Sequence, residues 1–333
     1  MLGKGSYGDV HANGNVAVKT FTELPHLLQE HVVGSYLQGC DYVLRTHQPS
    51  LSDMTLAMEL YDCSMSEWLA TKPRGPLIKE AFKSVLKGLM QLHTIGLTHG
   101  DLKPSNILVR KAPFKVVLGD LGFTSLSEYA KCRRTAPIYR DPKVIKAPSH
   151  DMYSFGIILL KHYAAVKSKD LEGATYTIVK RLTKRIKNRR IQKLTRKLTR
   201  PEHHKRPSAR ETYKYLFRDE ARVNIIKCIN TKYQAHEPIL ARLGSCREGR
   251  RMSALLYKWF LDRPTSLVNS HVHIAAARLL ASSLYGPSNW GEREACQAAG
   301  CSTTQLHQGI TELLSSESFR KGLLTPESGS TYV

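Results

Sequence analysis

Eight consecutive residues, His99 to Asn106, carry side chains whose types and spacing suit phosphoryl transfer. An aspartate held on a rigid loop can orient an attacking hydroxyl group and accept its proton, and Asp101 is in that position. An asparagine on the same loop, here Asn106, can bind a magnesium ion that bridges the phosphates of a nucleotide. Alone, so short a motif is equally compatible with a solvated loop whose Asp and Asn are ordinary turn residues, so the rest of the chain must decide.

The elements around this loop would hold it in place. From Ile78 onward the apolar residues form one helical stripe, which predicts an amphipathic helix leading to the loop. Short buried strands are predicted afterwards at 107–109 and 114–118. The second strand runs into the sequence GDLG, which places another acidic side chain, Asp120, directly after a buried strand.

The N-terminal part could bind the phosphates. The first ten residues contain three glycines in the pattern GxGxxG, followed by Val10. Glycines let a backbone close over phosphate groups with no side chain in the way. The β-branched segment 16–19 ends in Lys19, whose ammonium could hold the phosphates. This order of glycine-rich loop, strand and lysine excludes a dinucleotide-binding fold, which requires a strand before its glycines and a helix after them.

Composition restricts the class of protein further. The chain has 333 residues, of which 41% are hydrophobic and 23% charged, as is typical of a globular protein with a large core. No apolar run approaches the roughly 18 residues that cross a bilayer, and the N-terminus lacks a signal-peptide pattern. We therefore expect an intracellular protein, in the cytoplasm or nucleus, with no membrane contact. The seven cysteines show no CxxC or zinc-site spacing, so we expect reduced thiols.

Seven motifs, in this order and approximate spacing, resemble those of the eukaryotic protein kinase superfamily, serine/threonine type. They are the glycine-rich loop, VAVK at 16–19, HGDLKPSN at 99–106, GDLG at 119–122, YRDPK at 139–143, HDMYSFG at 150–156 and KRPSA at 205–209. The resemblance implies an α+β, two-lobed kinase domain over 1–218, with ATP between a small sheet-rich N-lobe (about 1–60) and a helical C-lobe (about 61–218). We expect an all-α extension over 219–318 and a flexible tail over 319–333.

The resemblance also implies roles for individual residues. Asp101 would be the catalytic base, and Lys103 would place its ammonium on the migrating phosphoryl group. Asn106 and Asp120 would bind Mg2+. The residues expected to contact ATP are Leu2, Gly3, Lys4, Gly5, Ser6, Tyr7, Gly8, Val10, Ala17, Lys19, Glu30, Met58 as the gatekeeper, Glu59, Tyr61 and Leu108.

The partner of Lys19 is expected on the next helix. Pro25 is suited to open that helix, and residues 26–37 carry apolar side chains at helical spacing. Glu30 lies on it and is the expected partner, with Glu23 as the alternative because the connection is shorter than kinases usually have. The short N-lobe is similar to the compact kinases that large DNA viruses carry, unless the natural chain starts before Met1.

Gly100 departs from the family motif, which has HRD where this chain has HGD. Small-molecule phosphotransferases of the aminoglycoside and choline kinase type also use HGD, but they lack the segments at 139–143 and 150–156. A catalytically silent pseudokinase scaffold is the other alternative. It is disfavoured because Lys19, Asp101, Asn106 and Asp120 are all present. We therefore predict an ATP-dependent serine/threonine kinase whose substrates are proteins.

The departures at positions 100 and 143 concern regulation and folding. Without an arginine at position 100, no guanidinium beside Asp101 can bind a phosphorylated activation loop. Lys143 stands where the family has the glutamate that pairs with Arg206, so we expect the ion pair with position 143 to be absent, and how the two segments are tied together stays open. Activity is accordingly expected not to depend on phosphorylation of Thr124, Ser125, Ser127 or Thr135.

The charge of the chain points to an acidic partner. The formal net charge is +22, and basic residues are dense over 180–200 with no acidic residue among them. Apolar residues recur there at helical spacing, which predicts helices with one basic face. That face is either simply solvated or a contact for an acidic protein, a nucleic acid or nuclear import.

The region after the kinase motifs is predicted to be helical. An Ala-rich segment at 271–284 precedes 294–306, which we interpret as helix, glycine turn and helix, with Gly300 in the turn and Ser302 as the next cap. This part weakly resembles the cyclin-like repeat of general transcription factor B proteins. A plain helical extension is the alternative.

Overall fold

The computed structural model describes residues 2–5, 8–37, 40–94, 97–126, 137–141, 147–218, 276, 279 and 292–315. These residues fall into two compact units. The first takes in Arg45–Leu60 with the described residues before 38 and after 275, and the second takes in Cys40–Leu44 with the described residues from 61 to 218. Ser6, Tyr7, Lys143, most of the predicted activation loop and the predicted tail lie outside the described residues.

The first unit contains an antiparallel sheet of five strands. They are β1 (Gly3–Gly5), β2 (Gly8–Asn13), β3 (Val16–Phe21), β4 (Thr46–Ser50) and β5 (Thr55–Glu59), in the spatial order β1-β2-β3-β5-β4. Side chains alternate between the faces of a strand, so Ala17 and Lys19 share the buried face of β3. The pattern of β3 therefore directs Lys19 into the unit and away from solvent.

One helix, α1 (Leu24–Tyr36), packs against this sheet. Leu27, Leu28 and Val33 are fully buried, and every residue from 26 to 34 is buried, so α1 is enclosed on most of its faces. The predicted helix 26–37 is confirmed with slightly earlier ends. Pro25 lies in its first turn, where the missing N–H is harmless.

The second unit is mainly helical. Its helices are α2 (Met65–Ala70), α3 (Gly75–Thr94), α4 (Pro148–Ala164), α5 (Tyr176–Thr183), α6 (Arg189–Leu198) and α7 (Ala209–Phe217). Its short strands are β6 (Cys63–Ser64), β7 (Leu97–Thr98), β8 (Ile107–Lys111), β9 (Phe114–Leu118) and β10 (Ser125–Leu126). A small sheet has the order β6-β8-β9, and β7 pairs with β10. The fold is thus a sheet-rich part followed by a helical part, as predicted.

The helices α3 and α4 form the core of this unit. The apolar stripe of α3 packs against β9 and α7, which confirms the predicted amphipathic helix with an earlier start at Gly75. Residues 150–160 of α4 are all buried, since this helix is apolar on most of its faces. Both α5 and α6 pack on α4, so the predicted helices with buried apolar residues are present.

Two helices are described in the C-terminal part, α8 (Glu292–Ala299) and α9 (Thr303–Ser315). Gly300 between them has φ +62°, the left-handed conformation that glycine adopts without strain. Ser302 accepts the N–H of Gln305, and the Gln305 side chain accepts the N–H of Ser302, which closes a capping box. The predicted helix–turn–helix is therefore present. The cyclin-like assignment stays a prediction because most of 219–318 lies outside the described residues.

Candidate active site

The predicted catalytic loop connects β7 to β8 and is buried in the second unit. The Asp101 side chain is nearly inaccessible, and its Oδ2 accepts hydrogen bonds from Lys103 Nζ at 2.7 Å and from Asn106 Nδ2 at 2.9 Å. Asn106 Nδ2 also donates to the Asp101 carbonyl oxygen at 2.9 Å. Hydrogen bonds to a carboxylate from a cation and an amide hold its orientation strongly. The three residues form one connected group.

Asp151, in the first turn of α4, holds this loop in place. Its buried carboxylate accepts the N–H of His99 at 2.8 Å and of Gly100 at 3.0 Å, and lies 2.9 Å from Nε2 of His93. Burial by itself would raise the pKa of Asp151, but the neighbouring imidazoles of His150 and His93, of which His93 lies at hydrogen-bond distance, hold that pKa well below its usual range. A carboxylate that stays ionised therefore anchors the backbone of the catalytic loop.

Gly100 owes its place in this loop to its backbone conformation. Its φ is +81°, in the range that favours glycine, and this turn aims its N–H at Asp151. The departure from the family motif therefore removes a side chain while keeping the loop anchored.

Asp120 lies beside the same loop. The N–H of Gly119 donates to the Asn106 carbonyl at 2.8 Å, and His99 Nε2 lies 3.0 Å from the Gly119 carbonyl oxygen. Asp120 itself has φ +54°, a left-handed conformation that is unusual for a residue with a side chain. Such strain persists where the surroundings impose it, and it clusters at functional sites. A backbone hydrogen bond thus joins Asn106, one predicted metal ligand, to Gly119, the residue directly before the other ligand, Asp120.

Lys19 and Glu30 form an ion pair inside the first unit. Lys19 Nζ contacts Glu30 Oε1, both side chains are buried, and the ammonium lies 4.9 Å from the Phe21 ring centroid. The alternative partner, Glu23, is exposed and lies 3.4 Å from His26 Nε2. The short connection works because α1 begins almost directly after β3 and packs back on the sheet. The predicted pair is therefore present, and a buried charge has its counter-charge.

The glycine-rich segment forms a hairpin of β1 and β2. Its register pairs Gly3 with Val10, Lys4 with Asp9 and Gly5 with Gly8. Leu2 is exposed, and its N–H donates to the Val10 carbonyl at 2.7 Å. Ser6 and Tyr7, predicted to contact ATP, lie outside the described residues.

Strand packing also requires a glycine at position 8, in addition to the predicted contact with ATP. A β-carbon at Gly8 would lie 1.8 Å from the backbone oxygen of Thr20 on β3, so any larger residue would force the strands apart. No heavy atom lies within 4 Å of the corresponding position at Gly3. Strand packing therefore requires glycine at position 8 but leaves room for a side chain at position 3.

Three further residues predicted to contact ATP lie on the sheet of the first unit. Ala17 of β3 is directly opposite Met58 of β5, and both are buried. The N–H of Glu59 donates to the Arg45 carbonyl at 3.0 Å. This N–H is thus part of the protein backbone network, and an adenine contact from Glu59 would use its carbonyl oxygen.

Tyr61 and Leu108, which are also predicted to contact ATP, lie in the second unit. The Tyr61 ring is buried, and its centroid lies 4.6 Å from the Arg110 guanidinium and 5.8 Å from Lys115 Nζ. These cations fix the ring by cation–π contacts. Leu108 is half-buried on β8, and its side chain leaves no free room for a β-carbon at Gly119.

The arrangement of these residues agrees with the comparison to known families. The matching family is the protein kinase domain, over residues 1–218 of 333. This chain belongs to the protein kinase family. The match takes in every residue to which a catalytic, ATP-binding or metal-binding role was assigned.

Individual relatives of this kinase domain are moderately similar. The chain is 27% identical over 199 residues to cyclin-dependent kinase B1-1 of Arabidopsis thaliana, covering 47% of this chain and 64% of the relative. It is 32% identical over 144 residues to the probable inactive protein kinase 38 of equine herpesvirus 2, covering 38% and 32%. For the mitogen-activated protein kinase mpkC of Aspergillus oryzae the identity is 29% over 163 residues, covering 44% and 43%. The chain thus spans less than two thirds of each of these relatives.

The sequence left open how Arg206 is tied to the 139–143 segment, and the structure shows an acidic partner at another position. Arg206 Nη1 forms a buried ion pair with Asp141 Oδ2 and donates to the Ser149 carbonyl at 3.0 Å. Its Nε and Nη2 donate to the Arg200 carbonyl at 2.8 and 2.7 Å, and the guanidinium lies 5.0 Å from the Tyr153 ring centroid. Asp141 therefore supplies, two positions before Lys143, the carboxylate that the family has at the later position. A buried arginine needs such a partner, and its burial is seen only in the structure.

Two supporting residues were not assigned roles from the sequence. Asp151 was recognised only as part of the 150–156 motif, although it anchors the catalytic loop. His93, at the end of α3, contacts that carboxylate across a separation of 58 residues. No local spacing marks a contact of that kind.

Proposed function

We propose that this kinase domain transfers the γ-phosphate of ATP to serine and threonine hydroxyl groups of proteins. The observation that carries the proposal is the hydrogen-bonded group of Asp101, Lys103 and Asn106 on a loop anchored by Asp151. In the proposed step, the hydroxyl oxygen bonds to the γ-phosphorus and the bond to the β–γ bridging oxygen breaks, which releases ADP. Asp101 orients the hydroxyl and accepts its proton, and Lys103 faces the transferred phosphoryl group.

Asn106 and Asp120 fit the proposed role of Mg2+ ligands. Mg2+ prefers oxygen donors, which a carboxylate and an amide supply. Asn106 Nδ2 donates to Asp101, so its amide oxygen is the atom that would bind a metal ion. When bound, Mg2+ neutralises charge on the ATP phosphates.

The ATP-binding residues are proposed partly on family membership. Lys19 would bind phosphate oxygens, with Glu30 holding its ammonium in position. The hairpin of β1 and β2 would cover the phosphates. The residues proposed to contact the nucleoside are Leu2, Val10, Ala17, Met58, Glu59, Tyr61 and Leu108.

A scaffold without catalysis is the second candidate function. It is favoured by one relative, the equine herpesvirus 2 protein named a probable inactive protein kinase. Such a scaffold would bind protein partners through the same fold and transfer no phosphate. Nucleotide binding alone does not separate the two candidates, so transfer has to be measured.

The test offers several acceptors to the purified full chain. Radiolabelled ATP and Mg2+ are supplied with an acidic protein mixture, a basic protein mixture, aminoglycosides or choline, and labelled protein is hydrolysed to its amino acids. We expect label in phosphoserine and phosphothreonine. Label confined to a small molecule would overturn the proposal in favour of a small-molecule phosphotransferase. Nucleotide binding with no transfer to any acceptor would overturn it in favour of the scaffold.

The proposal also places the protein inside the cell, in the cytoplasm or nucleus. It gives the basic stretch 180–200 a separate role, contact with an acidic protein or a nucleic acid. That role needs no catalysis and is tested apart from it.

A further inference from the structure

Helices α5 and α6 and the segment between them carry an uninterrupted series of basic residues. Between Gly173 and Pro201 there is no acidic residue and there are eleven lysines and arginines. These eleven residues, here called the basic face, are Lys180, Arg181, Lys184, Arg185, Lys187, Arg189, Arg190, Lys193, Arg196, Lys197 and Arg200.

The apolar residues of this segment determine where the basic ones lie. Val179, Leu182, Ile186, Leu194 and Leu198 are buried, and both helices pack on α4. The basic residues occupy the opposite sides of the same helices. Eight of them are exposed, namely Lys180, Arg181, Lys184, Arg185, Lys187, Arg189, Lys193 and Arg196.

The other three basic residues are held by the protein itself. Arg190 donates to the Tyr215 carbonyl, and Lys197 lies 5.9 Å from the Tyr215 ring centroid. Arg200 donates to the Lys205 carbonyl at 3.5 Å. None of the eight exposed residues has an ion-pair partner within the described ranges. Their charge is therefore available to a partner molecule.

One side chain joins the two helices into a single surface. Gln192 Nε2 lies within hydrogen-bond distance of the carbonyl oxygens of Thr183, Lys184 and Ile186, at 3.2, 3.4 and 3.4 Å. This ties the first turns of α6 to the end of α5. Lys184 and Lys193 accordingly belong to one continuous basic face.

The isolated chain is strained electrostatically at this face. Arg189, Lys193 and Lys197 follow one another at intervals of four, where like charges on a helix repel. Arg189 also lies in the first turn of α6, at the positive end of the helix dipole, and that turn has no acidic residue. A bound polyanion would relieve this repulsion.

The basic face has no exposed large apolar side chain among the described residues, and this distinguishes a nucleic acid from an acidic protein as its partner. Within the described residues, the exposed large hydrophobic side chains are Leu2 and Leu77, and neither is on the basic face. Protein interfaces have an apolar core from which charged residues are depleted. Lys and Arg contacts to phosphate oxygens, in contrast, supply most of non-specific nucleic-acid binding. We infer that the basic face binds the phosphate backbone of nucleic acid, without preference for base sequence.

The test neutralises three exposed residues and compares a variant of equal composition. Lys184→Gln, Arg189→Gln and Lys193→Gln are combined in the full chain, and binding to a fluorescent 30-base-pair DNA duplex is followed by anisotropy over a range of salt concentrations. The control combines Lys72→Gln, Arg74→Gln and Lys79→Gln, which are exposed elsewhere in the second unit. Both variants lose the same charge from the same residue types.

Counterion release sets the expected result. Each phosphate contact adds about 0.9 to the log–log dependence of affinity on salt, so losing three contacts should lower that slope by about 2 to 3 and the affinity near 0.1 M salt on the order of 100-fold. The control should bind like the unmodified chain. Equal weakening in both variants would overturn the inference, because net charge alone would then explain binding.

Two further arms keep the inference falsifiable. If the first variant fails to fold, Lys180→Gln, Arg185→Gln and Lys187→Gln remove the same charge from the same face. Polyglutamate of matched charge is added as a competitor, and competition as strong as that of unlabelled DNA would overturn the inference in favour of an acidic protein. No step needs ATP, so a chain without kinase activity can still pass this test.

Discussion

Among the described residues of the kinase domain, two buried pairs of opposite charge, Lys19–Glu30 and Arg206–Asp141, lie one in each unit and differ in what surrounds the cation. In the first unit, Lys19 on β3 meets Glu30 on the helix that follows it, 11 residues later. In the second unit, Arg206 meets Asp141 across 65 residues of chain. The Arg206 guanidinium also makes three hydrogen bonds to backbone carbonyls and lies over the Tyr153 ring.

This difference separates a ligand-binding cation from a structural one. Arginine has a rigid plane of donors, and at Arg206 this plane is occupied by acceptors from three separate segments. Lysine is a compact charge on a flexible stem, which suits a group that must reach phosphate oxygens. Burial imposes a counter-charge on both cations. The surrounding acceptors decide whether the pair ties the fold together or positions a ligand contact.

The largest expected effects come from breaking and then removing each pair. Glu30→Gln or Asp141→Asn leaves a buried cation without its carboxylate, which should lower the free energy of unfolding by roughly 3–5 kcal/mol in each case. Adding Lys19→Met should recover much of the loss at the first pair, because no buried charge remains. Adding Arg206→Met should recover little, because the carbonyls of Arg200 and Ser149 then lose their donors.

Urea denaturation of the full chain measures these free energies. The exposed Glu172→Gln serves as a control and should change stability by less than about 0.5 kcal/mol. Equal recovery at both pairs would show that the carbonyl contacts of Arg206 add nothing, and the distinction between the pairs would be lost.

A third buried ionisable group, His31, sharpens the comparison through its pH dependence. Burial lowers the pKa of His31 from 6.5 to about 4, although a hydrogen bond with the His47 backbone opposes this shift. The unfolded chain therefore takes up a proton at a higher pH than the folded chain does. The neutral state of His31 therefore contributes fully to the free energy of unfolding above about pH 6.5. This contribution is lost as pH falls towards 4, with a total of about 3 kcal/mol.

Unfolding midpoints measured from pH 7 to 4 test this prediction. His31→Leu should flatten the curve over that interval, whereas the exposed His204→Leu should leave it unchanged. A curve that His31→Leu does not alter would mean that another group is responsible.

The smallest expected effect concerns the activation segment. Gly100 offers no cation to a phosphorylated loop, and Thr124 is buried with its hydroxyl donating to the His99 carbonyl at 3.3 Å. Ser127 and Thr135 lie outside the described residues. Phosphatase treatment should therefore change the rate of phosphate transfer by less than about twofold, and loss of activity after treatment would refute this prediction.

The two ion pairs also show what the sequence could predict. Lys19, Asp101 and Asn106 lie in short motifs that are recognised from neighbouring residues along the chain, and β9 has the bounds that its buried run predicted. Asp141 was missed because the motif assigned the carboxylate to one position, whereas burial of Arg206 requires only that some carboxylate reach it. Spacing patterns describe neighbours along the chain and carry no information on such distant contacts.

Residues 40–44 illustrate the same limit in the fold. They were expected in the N-lobe, but Val43 forms a β-bridge with Leu118 and Leu44 donates to the Leu118 carbonyl at 2.8 Å. These five residues therefore group with the second unit. A segment so short has no periodicity of its own, and its place is set by the strand it joins.

The most direct test of the central claim is the activity of Asp101→Asn. The variant keeps the shape of the side chain but removes the base, so phosphate transfer to protein should fall by about 10²–10⁴-fold. Nucleotide affinity, measured by calorimetry on the same preparation, should stay within about threefold, since Asp101 accepts a proton and does not hold the nucleotide. The exposed Asp53→Asn should leave both quantities unchanged. Full transfer activity in Asp101→Asn would contradict the account.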